Sequence, residues 1–145
     1  MTLEFASVLA YLLMGGAAVG LVVTESILPI GVVSATIQAF ALGVMVWARI
    51  TFGSRSFHVA ANPTKGGLAT TGPYKYVRHP IYASALLFIW AAVFCHFSPL
   101  SVCLGVSAVL GASIRIGIEE RLVTAQYPEY AAYADRTKRL IPFVI

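Results

Sequence analysis

Apolar residues fall in four long blocks separated by polar connections of unequal length. Phe5 to Val23 runs nineteen residues without a charge, enough at ~1.5 Å per residue to cross a ~30 Å hydrocarbon layer. Thr24, Glu25 and Ser26 form a polar turn, and Ile27 to Ile50 is again apolar apart from Ser34, Thr36, Gln38 and Arg49. Ile81 to Phe97 and Leu100 to Ile118 are the third and fourth blocks, joined through Ser98-Pro99 as a helical hairpin. The pattern predicts one all-α domain over 1–145, a polytopic membrane protein with about four transmembrane helices at 5–23, 27–50, 81–97 and 100–118. A polar loop over 51–80 and a C-terminal segment over 119–145 complete it. Within that segment, Glu119 to Lys138 predicts a helix or helical pair on the membrane surface, broken near Pro128, and the final Leu-Ile-Pro-Phe-Val-Ile an apolar tail that folds back.

Composition agrees: 59% of residues are hydrophobic and the mean hydropathy is +0.82, against about 45–50% apolar in soluble chains. All ten Lys and Arg lie between Arg49 and Arg78 or from Arg115 onward. With four spans both basic regions share one face, which the positive-inside rule makes cytoplasmic; the loop and the tail then meet there, and both termini are cytoplasmic. The first span starts Met-Thr-Leu-Glu with no basic n-region, so it is expected to be retained rather than cleaved as a signal peptide. The basic residues form no stripe beside stacking aromatics, which argues against nucleic-acid binding. Cys95 and Cys103 sit in apolar runs without Cys-x-x-Cys spacing, so no metal site or disulfide framework is expected. Gly16 with Gly20, and Gly105, Ala108, Gly111 and Ala112, read first as close helix packing, the second set alternatively as a groove for an acyl or prenyl chain. Gln38 reads as an interhelical hydrogen bonder and His96 as an interfacial bystander.

Candidate chemistry concentrates in Gly72 to Tyr82, where three tyrosines, Lys75, Arg78 and His79 fall within eleven residues of a chain that is 11% charged. An interfacial anchor is the plainer reading. Pro73 and Pro80, however, shape the segment as a loop that ends where Pro80 starts a helix. Arg115 stands about 8 Å short of clearing the hydrocarbon if Leu100 marks the far boundary, and an ionisable residue at that depth is a functional candidate. Glu119 is one turn further along the same face. A structural ion pair is the competing account of the two, although Arg before Glu is the weaker order. The hairpin brings Arg78, His79 and Tyr82 near Arg115, Glu119 and Glu120.

Gly-Pro-Tyr-Lys-Tyr-Val-Arg-His-Pro-Ile-Tyr, then Arg-Ile-Gly-Ile-Glu-Glu about thirty residues on, then Tyr-x-x-Tyr and a Leu-Ile-Pro ending, resembles the isoprenylcysteine carboxyl methyltransferase and phospholipid methyltransferase superfamily. The resemblance covers Gly67 to the C-terminus. It implies a membrane enzyme that takes S-adenosyl-L-methionine from the cytosol, releases S-adenosyl-L-homocysteine and methylates a lipophilic or lipidated substrate, either the carboxylate of a prenylated cysteine-like compound or a lipid head group. By the same resemblance Gly66, Gly67, Leu68, Ala69, Tyr74, His79, Pro80, Ile81, Tyr82 and Glu119 match cofactor-binding positions, and Arg115 a substrate-side arginine. An upstream polar cofactor contact falls to His58 or Asn62. Tyr127-Pro128 departs from the Phe-Gly common before the Glu-x-Tyr, which bears on tail geometry.

The chemistry is compatible: His79 and backbone N–H groups supply donors, Glu119 an acceptor for an ammonium or ribose, Tyr74 and Tyr82 walls, and Arg115 a clamp for a carboxylate or phosphate. An amine acceptor would need a base, for which Glu120, His79 and Tyr82 are nearby. The alternatives are a non-catalytic lipid-binding relative, separable by cofactor titration, and a small four-span transporter. The transporter predicts a carboxylate deep within a span, and no acid lies between Glu25 and Glu119.

Overall fold

The computed structural model describes residues 3–53 and 67–142. Helix α1 spans Leu3–Val23, α2 Gly31–Phe52, α3 Pro80–Cys95, α4 Pro99–Gln126 and α5 Tyr130–Arg136, with a short 3-10 turn at Gly72–Lys75. The architecture is all-α and polytopic: α1, α2 and α4 are long and apolar enough to cross a membrane, and α3 is a shorter apolar helix. Outward-facing Leu, Val, Ile and Phe side chains cover α1, α2 and α4, the arrangement expected where lipid rather than water is the solvent.

Helix α1 packs along α4, α2 along α3, and α3 against α4. Small residues set these approaches. A Cβ at Gly111 would stand 2.5 Å from the carbonyl oxygen of Ala10, so only glycine lets the α1 and α4 backbones meet there. Gly105 lies under Val93 and Trp90 of α3, and Gly20 receives Leu104 of α4. The small face of α4 is therefore filled by neighbouring helices, the packing alternative rather than an acyl groove. Among the described residues, Gly16 has no heavy atom within 4 Å of where its Cβ would be, whereas Gly20 is at a helix contact. The core gathers Ala17, Leu21, Ile89, Ala92, Val93 and Ala108, with Tyr82, Ala112 and Ile116 beneath the site.

Helix ends differ from the sequence reading where local chemistry decides. Helix α2 starts at Gly31 rather than Ile27, because Pro29 disfavours the α region for Leu28. The extended stretch leaves carbonyls free, and side chains take them up: Gln38 Nε2 donates to Ile27 (3.0 Å) and more weakly to Phe88 (3.4 Å). His96 is not a bystander, since its Nε2 meets the Leu28 carbonyl at 2.9 Å. Helix α3 ends at Cys95, and α4 begins behind a Ser98–Ser101 capping box with Pro99 in its first turn. Residues 119–126 are not a separate surface helix: α4 continues unbroken to Gln126, as good helix formers such as Glu119, Glu120, Arg121 and Leu122 allow. Pro128 follows, and only α5 stands apart. The start of the tail folds back, with Leu140 packed against the Tyr82, Ala112 and Ile116 cluster, and residues 143–145 lie outside the described residues.

Candidate active site

Two helix lengths place the site. Helix α3 holds 16 residues from Pro80 to Cys95, and Arg115 lies 16 positions after Pro99, the first residue of α4 (115 − 99). Antiparallel across one tight turn, both distances come to ~24 Å, so Pro80 and Arg115 stand level and the residues flanking each converge. Adjacent helical positions point about 100° apart, so Glu119 and Glu120 serve different neighbours.

Glu119 turns inward. Its Oε1 accepts from Arg115 Nε at 3.0 Å and from the Tyr82 hydroxyl, while Oε2 lies 3.8 Å from His79 Nδ1. Arg115 also donates from Nε to the Tyr82 hydroxyl. Its Nη1 reaches Ser7 Oγ at 3.4 Å, and its guanidinium carbon lies 5.1 Å from the ring centroid of Tyr11. Arg115 and Tyr82 are buried, whereas the Glu119 side chain keeps 24% of its surface accessible. Arg115 and Glu119, assigned separate ligands by resemblance, are thus directly paired.

Glu120 turns toward the C-terminal segment. It accepts from Arg78 Nε at 3.0 Å and from Arg139 Nε at 3.0 Å and Nη2 at 2.9 Å, and lies 3.4 Å from His79 Nε2. Arg78 also donates to the carbonyls of Ala134 (2.8 Å) and Thr137. Backbone pairing reinforces this junction, because Val77 and Lys138 form a parallel bridge, Arg78 N–H donates to Lys138 and His79 N–H to Arg139. His79 is consequently held by its backbone, by Pro80 starting α3 behind it, and by Glu120 at 3.4 Å from Nε2, with Glu119 further off at 3.8 Å from Nδ1.

Of the other sequence candidates, Pro80 is buried at the start of α3 and Ile81 half-buried beside it. Tyr74 is buried, its ring stacked on Phe52 with centroids 5.5 Å apart and its carbonyl accepting from Tyr133 at 2.7 Å. Gly72, at φ +57, packs so closely that a Cβ would lie 2.6 Å from Thr51 Oγ1. Gly67 has a left-handed φ of +79, and Leu68 and Ala69 are half-buried in irregular chain. Gly66, His58 and Asn62 lie outside the described residues. Burial pushes the Tyr74 and Tyr130 phenols above their ordinary range and that of Tyr133 up to about 12, so these rings remain neutral donors at physiological pH. Among the described residues, no group of three metal-ligating side chains exists.

Sequence reasoning missed Ser7, Tyr11 and Arg139. Ser7 and Tyr11, four apart in an apolar run, marked one polar face of α1, and that spacing was the available signal.

An 81-residue stretch is 35% identical to the cobalt-zinc-cadmium resistance protein CzcN of Cupriavidus metallidurans; it covers 52% of this chain and 35% of that protein, so this chain spans about a third of that relative. No solved structure matches. The phospholipid methyltransferase family matches residues 30–130, which takes in α2, α3, α4 and the whole Arg78, His79, Tyr82, Arg115, Glu119 and Glu120 cluster. The chain belongs to the phospholipid methyltransferase family.

Proposed function

We propose that the protein transfers a methyl group from S-adenosyl-L-methionine to a lipophilic acceptor at the cytoplasmic membrane face. The observation that carries this reading is Glu119: a carboxylate fixed by Arg115 and Tyr82 yet still accessible, beside His79 at the end of the bundle. The residues present suit the cofactor. Glu119 and the Tyr82 and His79 rings favour a cationic ligand group, and Tyr74 supplies an apolar wall. Bound there, S-adenosyl-L-methionine supplies an electrophilic methyl carbon on a sulfonium and leaves as S-adenosyl-L-homocysteine.

Methyl transfer is an in-line displacement that needs alignment and dehydration. Tyr82, hydrogen-bonded to Glu119, and His79, 3.8 Å from the same carboxylate, provide the alignment. Helix α1 shields that group on one side and the returning tail, through Leu140 against Tyr82, on another. Arg115, on the bilayer side, meets the anionic group of the acceptor. With the chain crossing four times, the site, the 51–80 loop, the tail and both termini share the cytoplasmic face, in keeping with the distribution of Lys and Arg.

Titration of purified protein with S-adenosyl-L-methionine by calorimetry tests the reading. Saturable binding competed by S-adenosyl-L-homocysteine and weakened in Glu119→Gln is expected; absence of binding to a folded protein overturns it. Methyl-labelled cofactor with lipid extracts then identifies the acceptor.

A further inference from the structure

The family match begins at residue 30, so nothing in it concerns α1. Yet α1 delivers two side chains to the deepest charge in the bundle. Ser7 is fully buried and accepts from Arg115 Nη1 at 3.4 Å, and the Tyr11 ring covers the guanidinium with 5.1 Å between its carbon and the ring centroid. The register is not adjustable, because Ala10, between the two, has its carbonyl oxygen against Gly111, one turn before Arg115.

The members of this cluster differ in what they face. Arg115 is 5% exposed, Ser7 0% and Tyr82 9%, whereas Tyr11 is 41% exposed. Glu119 keeps 24% of its side chain accessible with Oε2 turned to His79, and Tyr11 stands on α1, a helix long and apolar enough to cross a membrane. A hydrocarbon-linked anion approaching Arg115 from the bilayer therefore meets Tyr11 first. Its ring offers an apolar flank to the chain and a face to the cation, as amphipathic aromatic side chains do at such boundaries.

We propose that α1 completes the acceptor side of the site: Ser7 and Tyr11 orient the Arg115 guanidinium, and Tyr11 is the specificity-determining wall past which an anionic lipophile enters from the bilayer. The inference rests on the acceptor role given to Arg115. Both residues contact Arg115, so their loss should separate acceptor binding from cofactor binding.

The test uses the full chain in detergent micelles, with dodecanoate and dodecyl phosphate as single-chain probes, the two arms distinguishing a carboxylate from a phosphate head. Probe affinity, S-adenosyl-L-methionine affinity and thermal unfolding are measured for Tyr11→Phe, Tyr11→Leu, Ser7→Ala and Arg115→Gln. Tyr11→Leu keeps an apolar side chain and loses the ring, so probe affinity should fall on the order of tenfold with cofactor affinity within about twofold, whereas Tyr11→Phe should stay near wild type. Ser7→Ala should lie between. If Arg115→Gln loses the preferred probe while Tyr11→Leu and Ser7→Ala bind it as wild type does, the inference is overturned and the role of Arg115 stands. If Arg115→Gln also binds both probes unchanged, that role and the inference fall together. A folded Tyr11→Leu that loses cofactor affinity as much as probe affinity likewise overturns it, since the residue would then be acting on the whole site.

Discussion

Glu119 has one duty in the structure and a second in the proposed function, and the two are separable. As the partner of buried Arg115 at 3.0 Å it is structural, because removing either charge leaves the other without its counter-ion in a low-dielectric setting. Glu119→Gln and Arg115→Gln should each lower the melting temperature, with part of the loss recovered in the double variant. As a cofactor ligand it has a second effect that no compensation restores. Loss of a charge-assisted hydrogen bond of about 1.5–3 kcal/mol weakens S-adenosyl-L-methionine binding roughly 10- to 150-fold, in Glu119→Gln and in the double variant alike, whereas Arg115→Gln keeps its affinity. Calorimetry beside thermal unfolding reads both, and cofactor affinity unchanged in all three would leave the pair purely structural. His79 makes the complementary case. Its ring lies between Glu119 and Glu120 and its backbone is anchored by Arg139, so His79→Ala should remain folded and bind cofactor more weakly; equal affinity would reduce the ring to an anchor.

Among the elements, the C-terminal segment is pinned rather than merely adjacent. Arg78 joins α4 through Glu120 to the carbonyls of Ala134 and Thr137 at and beyond the end of α5, and no other residue type offers that many fixed donors. Arg78→Lys should therefore free α5 and the tail, seen as faster proteolysis after residue 126 with α1 to α4 still protected. Gly111→Val tests the α1–α4 contact. A side chain 2.5 Å from a backbone carbonyl forces the helices apart and should destabilise by at least about 1–3 kcal/mol. The spans were legible because long uncharged runs leave few alternatives, and the hairpin through Ser98-Pro99 made the convergence of His79, Tyr82, Arg115 and Glu119 a matter of counting residues. Ser7 and Tyr11 were not legible as site residues: they lie over a hundred positions from Arg115, and their meeting depends on a register that Gly111 fixes against Ala10. The course of 119–126 was misread because polarity suggested a membrane surface, while nothing before Pro128 interrupts the helix.

For the whole molecule, orientation is open to direct labelling. In a background without Cys95 and Cys103, Lys75→Cys should resist an impermeant thiol reagent in intact cells and Phe97→Cys, exposed at the opposite end, should react; the reverse pattern would invert the proposed topology. Helix α3 has a further consequence for the lipid around it. Sixteen residues give ~24 Å, some 6 Å less than a typical hydrocarbon layer. Such hydrophobic mismatch is relieved by local thinning of the bilayer, and α3 has His79 at one end. The interface should thus dip toward the candidate site, bringing a lipid head group closer to it without leaving its leaflet. Turnover in reconstituted vesicles would then depend on acyl-chain length, falling as thicker bilayers make that dimple more costly.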